Sequence, residues 1–177
     1  MVLVVGCGGS SPTGPSSSNS SPAPVVVISA AGVLGEGLNL FVDTDRRQQA
    51  WVTVAGDALR AAYPPNQAWG FLGAALQGDA TPGRRPGRDL SSYRSLEIDF
   101  RAESTATVQV GIKDAGDADD GTETRKTEVL SSEWRTYTYS LSDFRTADLT
   151  KVYLLFEVVF NGPSGQVVFV RNVRYVS

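Results

Sequence analysis

The stretch that decides the fold class is residues 89–114, DLSSYRSLEIDFRAESTATVQVGIKD. Apolar and polar residues alternate strictly in two runs within it, Leu96–Arg101 and Val108–Lys113. Such alternation places apolar side chains on one face of a strand and polar side chains on the other. The segment between the runs, 102–106, is short, which predicts that the two strands pair antiparallel in one sheet. The side chains expected on the inner face are Leu96, Ile98, Phe100, Val110 and Ile112.

Similar short apolar runs continue from Val25 to the end of the chain, separated by glycine, proline and asparagine turn signals. About nine strands at roughly ten-residue spacing are typical of an all-β sandwich or barrel. No long stretch has helical periodicity. The run Val152–Phe160 is apolar on both sides and predicts a central strand, with Tyr153 and Glu157 on the same face.

Composition excludes several functional classes. Hydrophobic residues make up 41% and charged residues 20% of the chain, as in an ordinary soluble domain. The net charge of −3 predicts no binding to nucleic acid. With no histidine and one cysteine, the chain cannot form a Ser-His-Asp triad, a histidine-bearing zinc site or a thiolate-rich metal site.

The amino terminus has the pattern of an exported lipoprotein. Residues 1–7, MVLVVGC, resemble a lipoprotein signal remnant in which the lipobox ends at Cys7, the expected lipidation site. Residues 8–24 are rich in glycine, serine and proline and predict a disordered tether, and residues 25–177 are the expected folded domain. The expectation is a membrane-anchored lipoprotein that faces the periplasm or cell surface. The alternative is a trimmed terminus with an incidental cysteine, because the apolar run is short and no basic residue precedes it.

Four motifs occur in the order found in one family. They are WGFLG at 69–73, DLSSYRSLEIDF at 89–100, LSSEWRTY at 130–137 followed by LSDF at 141–144, and VFVRNVRY at 168–175. From about Leu38 onward the chain resembles the carbohydrate-binding modules with a galactose-binding-domain-like jelly roll. The resemblance implies an antiparallel jelly-roll sandwich, a glycan or polysaccharide ligand and a buried Trp134. Members often hold a structural calcium with a last-strand aspartate, whereas Arg171 and Asn172 stand in that region, so no metal or other cofactor is expected.

Sugar recognition requires an aromatic ring that stacks on a pyranose and polar groups that bind its hydroxyls. We expect the polar face of the paired strands to supply the polar groups, with Tyr153 as the stacking ring. The aromatic residues Trp51 and Trp69 are further candidate platforms, although a tryptophan such as Trp69, next to Gly70, is more often packed in the core of a sandwich than exposed. The expected ligand-binding residues are Glu97, Asp99, Arg101, Gln109, Lys113, Tyr153, Glu157, Trp51 and Trp69. The alternative for this face is a solvated surface with internal ion pairs.

The segment after Asp114, AGDADDGTETRK, is acidic enough to suggest calcium. Its spacing does not match an EF-hand loop, so a mobile, solvated loop is expected.

Three functions are consistent with these features. The first is a non-catalytic, envelope-anchored carbohydrate-binding module. The second is a structural or extrinsic subunit that packs on a membrane protein complex. The third is a glycosidase with a carboxylate pair such as Glu97 and Glu157; nothing in the sequence marks that pair as catalytic, so no enzyme activity is expected.

Overall fold

The computed structural model describes residues 21–177, in which eleven strands and one short 3₁₀ helix are present. The strands are β1 (Val25–Ile28), β2 (Leu38–Thr44), β3 (Val52–Ala55), β4 (Ala58–Tyr63), β5 (Trp69–Leu76), β6 (Ser95–Ala102), β7 (Ala106–Asp114), β8 (Arg125–Leu130), β9 (Arg135–Ser140), β10 (Val152–Asn161) and β11 (Gln166–Val176). The 3₁₀ helix, Leu141–Asp143, follows β9. Within the described residues, no helix is long and apolar enough to span a membrane. The expected lipobox and Cys7 lie outside the described residues.

The strands form two antiparallel sheets that pack face to face. Sheet A has the order β3-β4-β11-β6-β9, with β1 also paired to β11, and sheet B has the order β2-β5-β10-β7-β8. The prediction of an all-β antiparallel sandwich is confirmed, with eleven strands in place of about nine. Strand β10 lies in the middle of sheet B, as its continuous apolar character predicts.

The core lies between the two sheets, and the alternating pattern identifies its residues correctly. The five side chains predicted to face inward, Leu96, Ile98, Phe100, Val110 and Ile112, are all fully buried. An aromatic cluster closes one end of the core. Trp51 makes edge contacts with Tyr63 and Phe160, with centroid separations of 5.9 and 5.4 Å. Because Trp51 is only 7% exposed, the expectation that it offers a ring to a ligand is wrong.

The predicted pairing of the two organising strands is also wrong. Strand β6 pairs with β11 and β9 in sheet A, whereas β7 pairs with β10 and β8 in sheet B. The short link between them crosses from one sheet to the other. At the start of the link, Ala102 N donates to Ser131 O and Glu103 N donates to Val167 O. The polar faces of β6 and β7 therefore lie on opposite outer surfaces of the sandwich.

Trp134 was expected in the core but lies on the outer face of sheet A. It is half-buried, and two guanidinium groups cover its ring: Arg101 at 5.3 Å and Arg171 at 4.1 Å from the centroid. The cationic charges attract the negative face of the indole. This arrangement lets a large aromatic residue remain on the surface without packing between the sheets.

Candidate ligand-binding groove

The outer face of sheet B carries a groove of about 710 Å³, within the range of small-molecule and glycan sites. Strand register places the outward residues in rows across the sheet. The first row is Asp43, Phe71, Val159, Gln109 and Thr127; the second is Phe41, Gly73, Glu157, Gly111 and Arg125; the third is Asn39, Ala75, Leu154 and Lys113. The rows lead from an aromatic end on β2 and β5 to a charged end on β7 and β8.

Three aromatic side chains form the aromatic end. Trp69 and Phe41 are 40% and 37% exposed, and Phe71 is half-buried between them. A Cβ on Gly73 would lie 2.8 Å from Cζ of Phe71, so the bare backbone at Gly73 leaves room for that ring to lie across the strand. Glycine at position 73 therefore lets the Phe71 ring lie flat against the sheet, which leaves the surface above it open to a ligand.

The charged end is a network of alternating carboxylates and cations. Arg125 Nε donates to Glu157 Oε1 at 2.7 Å, and its Nη2 also pairs with Glu123. Lys113 Nζ lies 2.8 Å from Glu123 Oε1 and contacts two further carboxylates, Asp117 and Asp119, at 3.5 and 3.4 Å. The side chains of Glu123, Glu157 and Lys113 are buried, so each of these three charges requires its partner.

The second glycine of the middle row makes this network possible. A Cβ on Gly111 would lie 2.6 Å from Glu157 Oε1 and 3.2 Å from Cγ of Arg125. The Glu157 side chain thus occupies the space that a side chain at position 111 would fill. Glycines on both neighbouring strands, Gly73 and Gly111, allow a buried carboxylate in the floor of the groove.

Burial and charge act in opposite directions on these groups. Burial raises the pKa of Glu157 above its usual range, and the nearby Arg125 offsets this effect only in part. Burial also acts to raise the pKa of Glu123, but the hydrogen bond from Lys113 and the adjacent cations outweigh it and lower that pKa. For Lys113, burial acts to lower the pKa, and the carboxylates around it raise it overall. Lys113 and Glu123 are therefore both ionised at neutral pH.

One wall of the groove is built from two loops, residues 77–88 and 115–124. Arg85 joins them, since its Nε donates to Ala80 O at 2.9 Å, its Nη1 donates to Asp117 O at 3.0 Å, and its Nη2 pairs with Asp119. The acidic loop was expected to be mobile and solvated, but its carboxylates serve as partners for buried cations. The side chain of Glu123 is fully buried, which contradicts a solvated loop at that position.

Tyr153 lies against this wall and not on the open surface. Its ring is 6% exposed, and the guanidinium of Arg85 lies 4.9 Å from its centroid. The expectation that Tyr153 is the main stacking ring is wrong, because Arg85 covers it. The exposed rings are those of Trp69 and Phe41.

The remaining expected ligand-binding residues divide between the two faces. Gln109 and Lys113 lie on sheet B with Glu157, and Gln109 Oε1 accepts a hydrogen bond from Asn161 at 3.0 Å. Glu97, Asp99 and Arg101 lie on sheet A, so the single polar row that the sequence predicted does not exist. Glu97 and Asp99 there form internal contacts, Glu97 with Arg174 at 2.8 Å and Asp99 with Thr136 at 2.7 Å.

The separation of these residues onto two outer faces also excludes the glycosidase pair that the sequence suggested. Glu97 and Glu157 lie on opposite outer faces, and a core about 10 Å thick separates the sheets. Catalytic carboxylates must flank one bond at 5–10 Å and reach it from the same side. Glu97 and Glu157 therefore cannot act together.

Sequence reasoning missed several groove residues: Phe41, Phe71, Arg85, Glu123, Arg125 and Asn161. For Phe71 a signal was present, because Trp69, Phe71 and Gly73 share one face of an alternating strand. For Arg85 no local signal exists, since its partners Asp117 and Asp119 lie 32 and 34 residues away in the sequence. Among the described residues, no group of three or more metal-binding side chains is arranged to hold a metal ion.

No protein-family model matches the chain, and no curated protein sequence matches it. Solved structures of similar fold include carbohydrate-binding modules of families 29 and 30. A mutant of CBM29-2, a family 29 module complexed with mannohexaose, superposes with a TM-score of 0.60 at 13% identity and covers 86% of this chain and 90% of its own. Another family 29 module gives a TM-score of 0.60 at 16% identity, covering 86% and 87%. A family 30 module gives 0.62 at 13% identity, covering 88% of each chain. At these identities the similarity establishes the fold.

Proposed function

We propose that the chain is a non-catalytic carbohydrate-binding module that holds a polysaccharide in the groove of sheet B. The observation that carries the proposal is the pair of exposed rings, Trp69 and Phe41, beside a preorganised polar floor in an open groove. The fold similarity to family 29 and family 30 modules supports it.

The aromatic end supplies the stacking surface. The apolar face of a pyranose packs on the faces of Trp69 and Phe41, which gains hydrophobic burial without a charge on the ligand. Neighbouring groups with hydrogen-bonding capacity, Asp43, Gln109 and Asn161, line the same surface and bind the hydroxyls. The sugar therefore meets rings on one side and amide or carboxylate groups at its edge.

The charged end holds the groove in shape and does not perform chemistry. The side chains of Glu123 and Glu157 are 0% and 1% exposed, and both are paired with cations. A general acid must reach the oxygen that it protonates. Carboxylates this deeply buried support a binding role and not hydrolysis.

Binding is expected to be weak, because a surface groove must exchange bound water for ligand. We expect dissociation constants from micromolar to millimolar, roughly −8 to −4 kcal/mol. Native gel electrophoresis of the full chain, in gels containing one soluble polysaccharide at a time, measures this directly. Retardation by at least one polysaccharide is expected, and Trp69→Ala should abolish it.

Trp134→Ala is the matched control, because it removes the same side chain from the opposite sheet. It should leave retardation intact, and thermal melts should show that both variants are folded. If no polysaccharide retards the protein, or if Trp134→Ala abolishes retardation while Trp69→Ala does not, the proposal is wrong. Fixed-ratio co-purification with a membrane complex, together with absent retardation, would instead favour a structural subunit.

The proposal includes attachment to the cell envelope through lipid on Cys7. It rests on the Val4-Val5-Gly6-Cys7 sequence and the uncharged residues that follow. Each buried methylene of an acyl chain contributes about 0.8 kcal/mol, so several chains anchor firmly where one does not. Mass spectrometry of the amino-terminal peptide from membrane fractions should find acylated Cys7, and an unmodified cysteine there would exclude the anchor.

A further inference from the structure

The outer face of sheet A, opposite the groove, carries a stack of planar groups in which aromatic rings and guanidinium groups alternate. In order they are Phe169, Arg101, Trp134 and Arg171. The Arg101 guanidinium lies 3.8 Å from the centroid of Phe169 and 5.3 Å from that of Trp134, and the Arg171 guanidinium lies 4.1 Å from the centroid of Trp134. Strand register explains the start of the stack, because Phe169 and Arg101 are direct partners across β11 and β6.

The two arginines of the stack differ in their ionic partners. Arg171 pairs with Asp57 and lies 3.8 Å from Asp99. The guanidinium of Arg101 makes no hydrogen bond or ion pair with any group of residues 21–177, although aromatic rings contact it. The nearby carboxylates are already engaged: Glu97 with Arg174, Asp99 with Thr136 and Asn172, and Glu103 with Arg60.

A guanidinium held by its faces keeps its N–H donors free in the plane of the group. This geometry matches the two oxygens of a carboxylate, and fixing the side chain in advance lowers the entropy cost of binding. We propose that this face docks an acidic segment of a partner protein, with a carboxylate of the segment bound to Arg101. The proposal is independent of the glycan groove.

Two observations favour a peptide over an acidic sugar. Trp134 is half-buried with two guanidinium groups against its ring, and Phe169 is only 8% exposed, so neither ring is open for a pyranose to stack on. Strand β9 is also the edge of sheet A and pairs only with β6, which leaves its outer backbone groups available to an added strand.

The test uses the full chain and an eight-residue peptide of alternating glutamate and threonine, with a glutamine–threonine peptide of equal length as the uncharged probe. The readout is the arginine Nε–Hε spectrum of ¹⁵N-labelled protein, in which Arg101→Lys identifies the Arg101 signal. The glutamate peptide should shift that signal saturably and the glutamine peptide should not. Isothermal titration calorimetry compares the affinities of the variants, and Arg101→Lys should bind the glutamate peptide about tenfold more weakly than the wild type, because lysine cannot form the two-pronged contact.

Arg145→Lys is the matched control, since Arg145 is an exposed arginine far from the stack in sequence and makes no ion pair within the described residues. It should bind the glutamate peptide like the wild type. An unshifted Arg101 signal, or equal affinity of Arg101→Lys and the wild type, would overturn the proposal. Polygalacturonate that shifts the Arg101 signal when the peptide does not would also overturn it, in favour of an acidic glycan.

Discussion

Glu157 shows how a buried carboxylate is accommodated in the middle of a sheet. Its neighbours on both adjacent strands are glycines, Gly73 and Gly111, and its carboxylate lies over Gly111 to reach Arg125. A side chain at either glycine would occupy the space that the glutamate or Phe71 now fills. The floor of the groove thus depends on the absence of side chains as much as on the charged ones.

Substitution of the two buried glutamates, Glu123 and Glu157, should lower the free energy of unfolding by unequal amounts. The lowered pKa of Glu123 means that its ionised form stabilises the fold above the unfolded-state pKa near 4.5, and this stabilisation is lost as pH falls through the folded-state pKa. The raised pKa of Glu157 means that its ionised form costs stability at neutral pH, and protonation at lower pH relieves the cost. At pH 7, Glu123→Gln should therefore lower the free energy of unfolding by about 1.5–3 kcal/mol.

Glu157→Gln is the matched variant and should cost less at pH 7, because it removes a charge that burial disfavours. The difference in the free energy of unfolding between the two variants should become smaller as the pH is lowered below about 4.5. Urea unfolding at a series of pH values measures both quantities. A larger loss for Glu157→Gln at pH 7 would contradict the assignment of the two glutamates.

The tryptophans provide a second comparison at this scale. Trp51 packs on Tyr63 and Phe160 in the core, so Trp51→Ala should lower the free energy of unfolding by about 3–5 kcal/mol. Trp69→Ala should change it far less, because Trp69 is 40% exposed. Equal losses in urea unfolding would show that Trp69 has a structural role and would weaken its assignment to the groove.

At the scale of elements, alternation predicted the inner faces of β6 and β7 correctly but not their partners. A short link between two alternating runs is typical of a hairpin, yet here it crosses between sheets. The hydrogen-bonding partners of β6 and β7 are β9, β11, β8 and β10, all of which follow later in the sequence. The local pattern carries no information about which distant strands pair with each other. The prediction that the polar faces of β6 and β7 form one surface is wrong for this reason.

Engineered disulfides distinguish the two pairings. Val159 and Gln109 are cross-strand partners, so their Cα atoms lie within the 4.4–6.8 Å that a disulfide requires. In a Cys7→Ser background, Gln109→Cys with Val159→Cys should oxidise readily to a disulfide. Asp99→Cys with Gln109→Cys should not, although these residues would be opposite each other if β6 and β7 formed a hairpin about residue 104. Thiol titration after mild oxidation reads the result, and the reverse outcome would contradict the sheet order.

At the scale of the whole molecule, the sandwich presents two outer faces of different chemistry. Sheet B carries the groove with its exposed rings, and sheet A carries the guanidinium–aromatic stack. The fold class was predictable from the sequence because alternation and turn signals report which residues face a core. The groove was not, because it depends on contacts such as Arg85 with Asp117 O and Arg125 with Glu157, which join segments 32 residues apart.

Sugar binding at Trp69 is tested most directly by following the three indole N–H signals of ¹⁵N-tryptophan-labelled protein during titration with neutral hexasaccharides. Trp51 is in the core, Trp134 is covered by two arginines on sheet A, and Trp69 is exposed in the groove. Because Trp69 is the one tryptophan whose ring is open to a sugar, we expect at least one hexasaccharide to shift the Trp69 signal saturably and to leave the other two signals in place. A shift of the Trp134 signal without one at Trp69, or no shift with any hexasaccharide, would contradict this expectation.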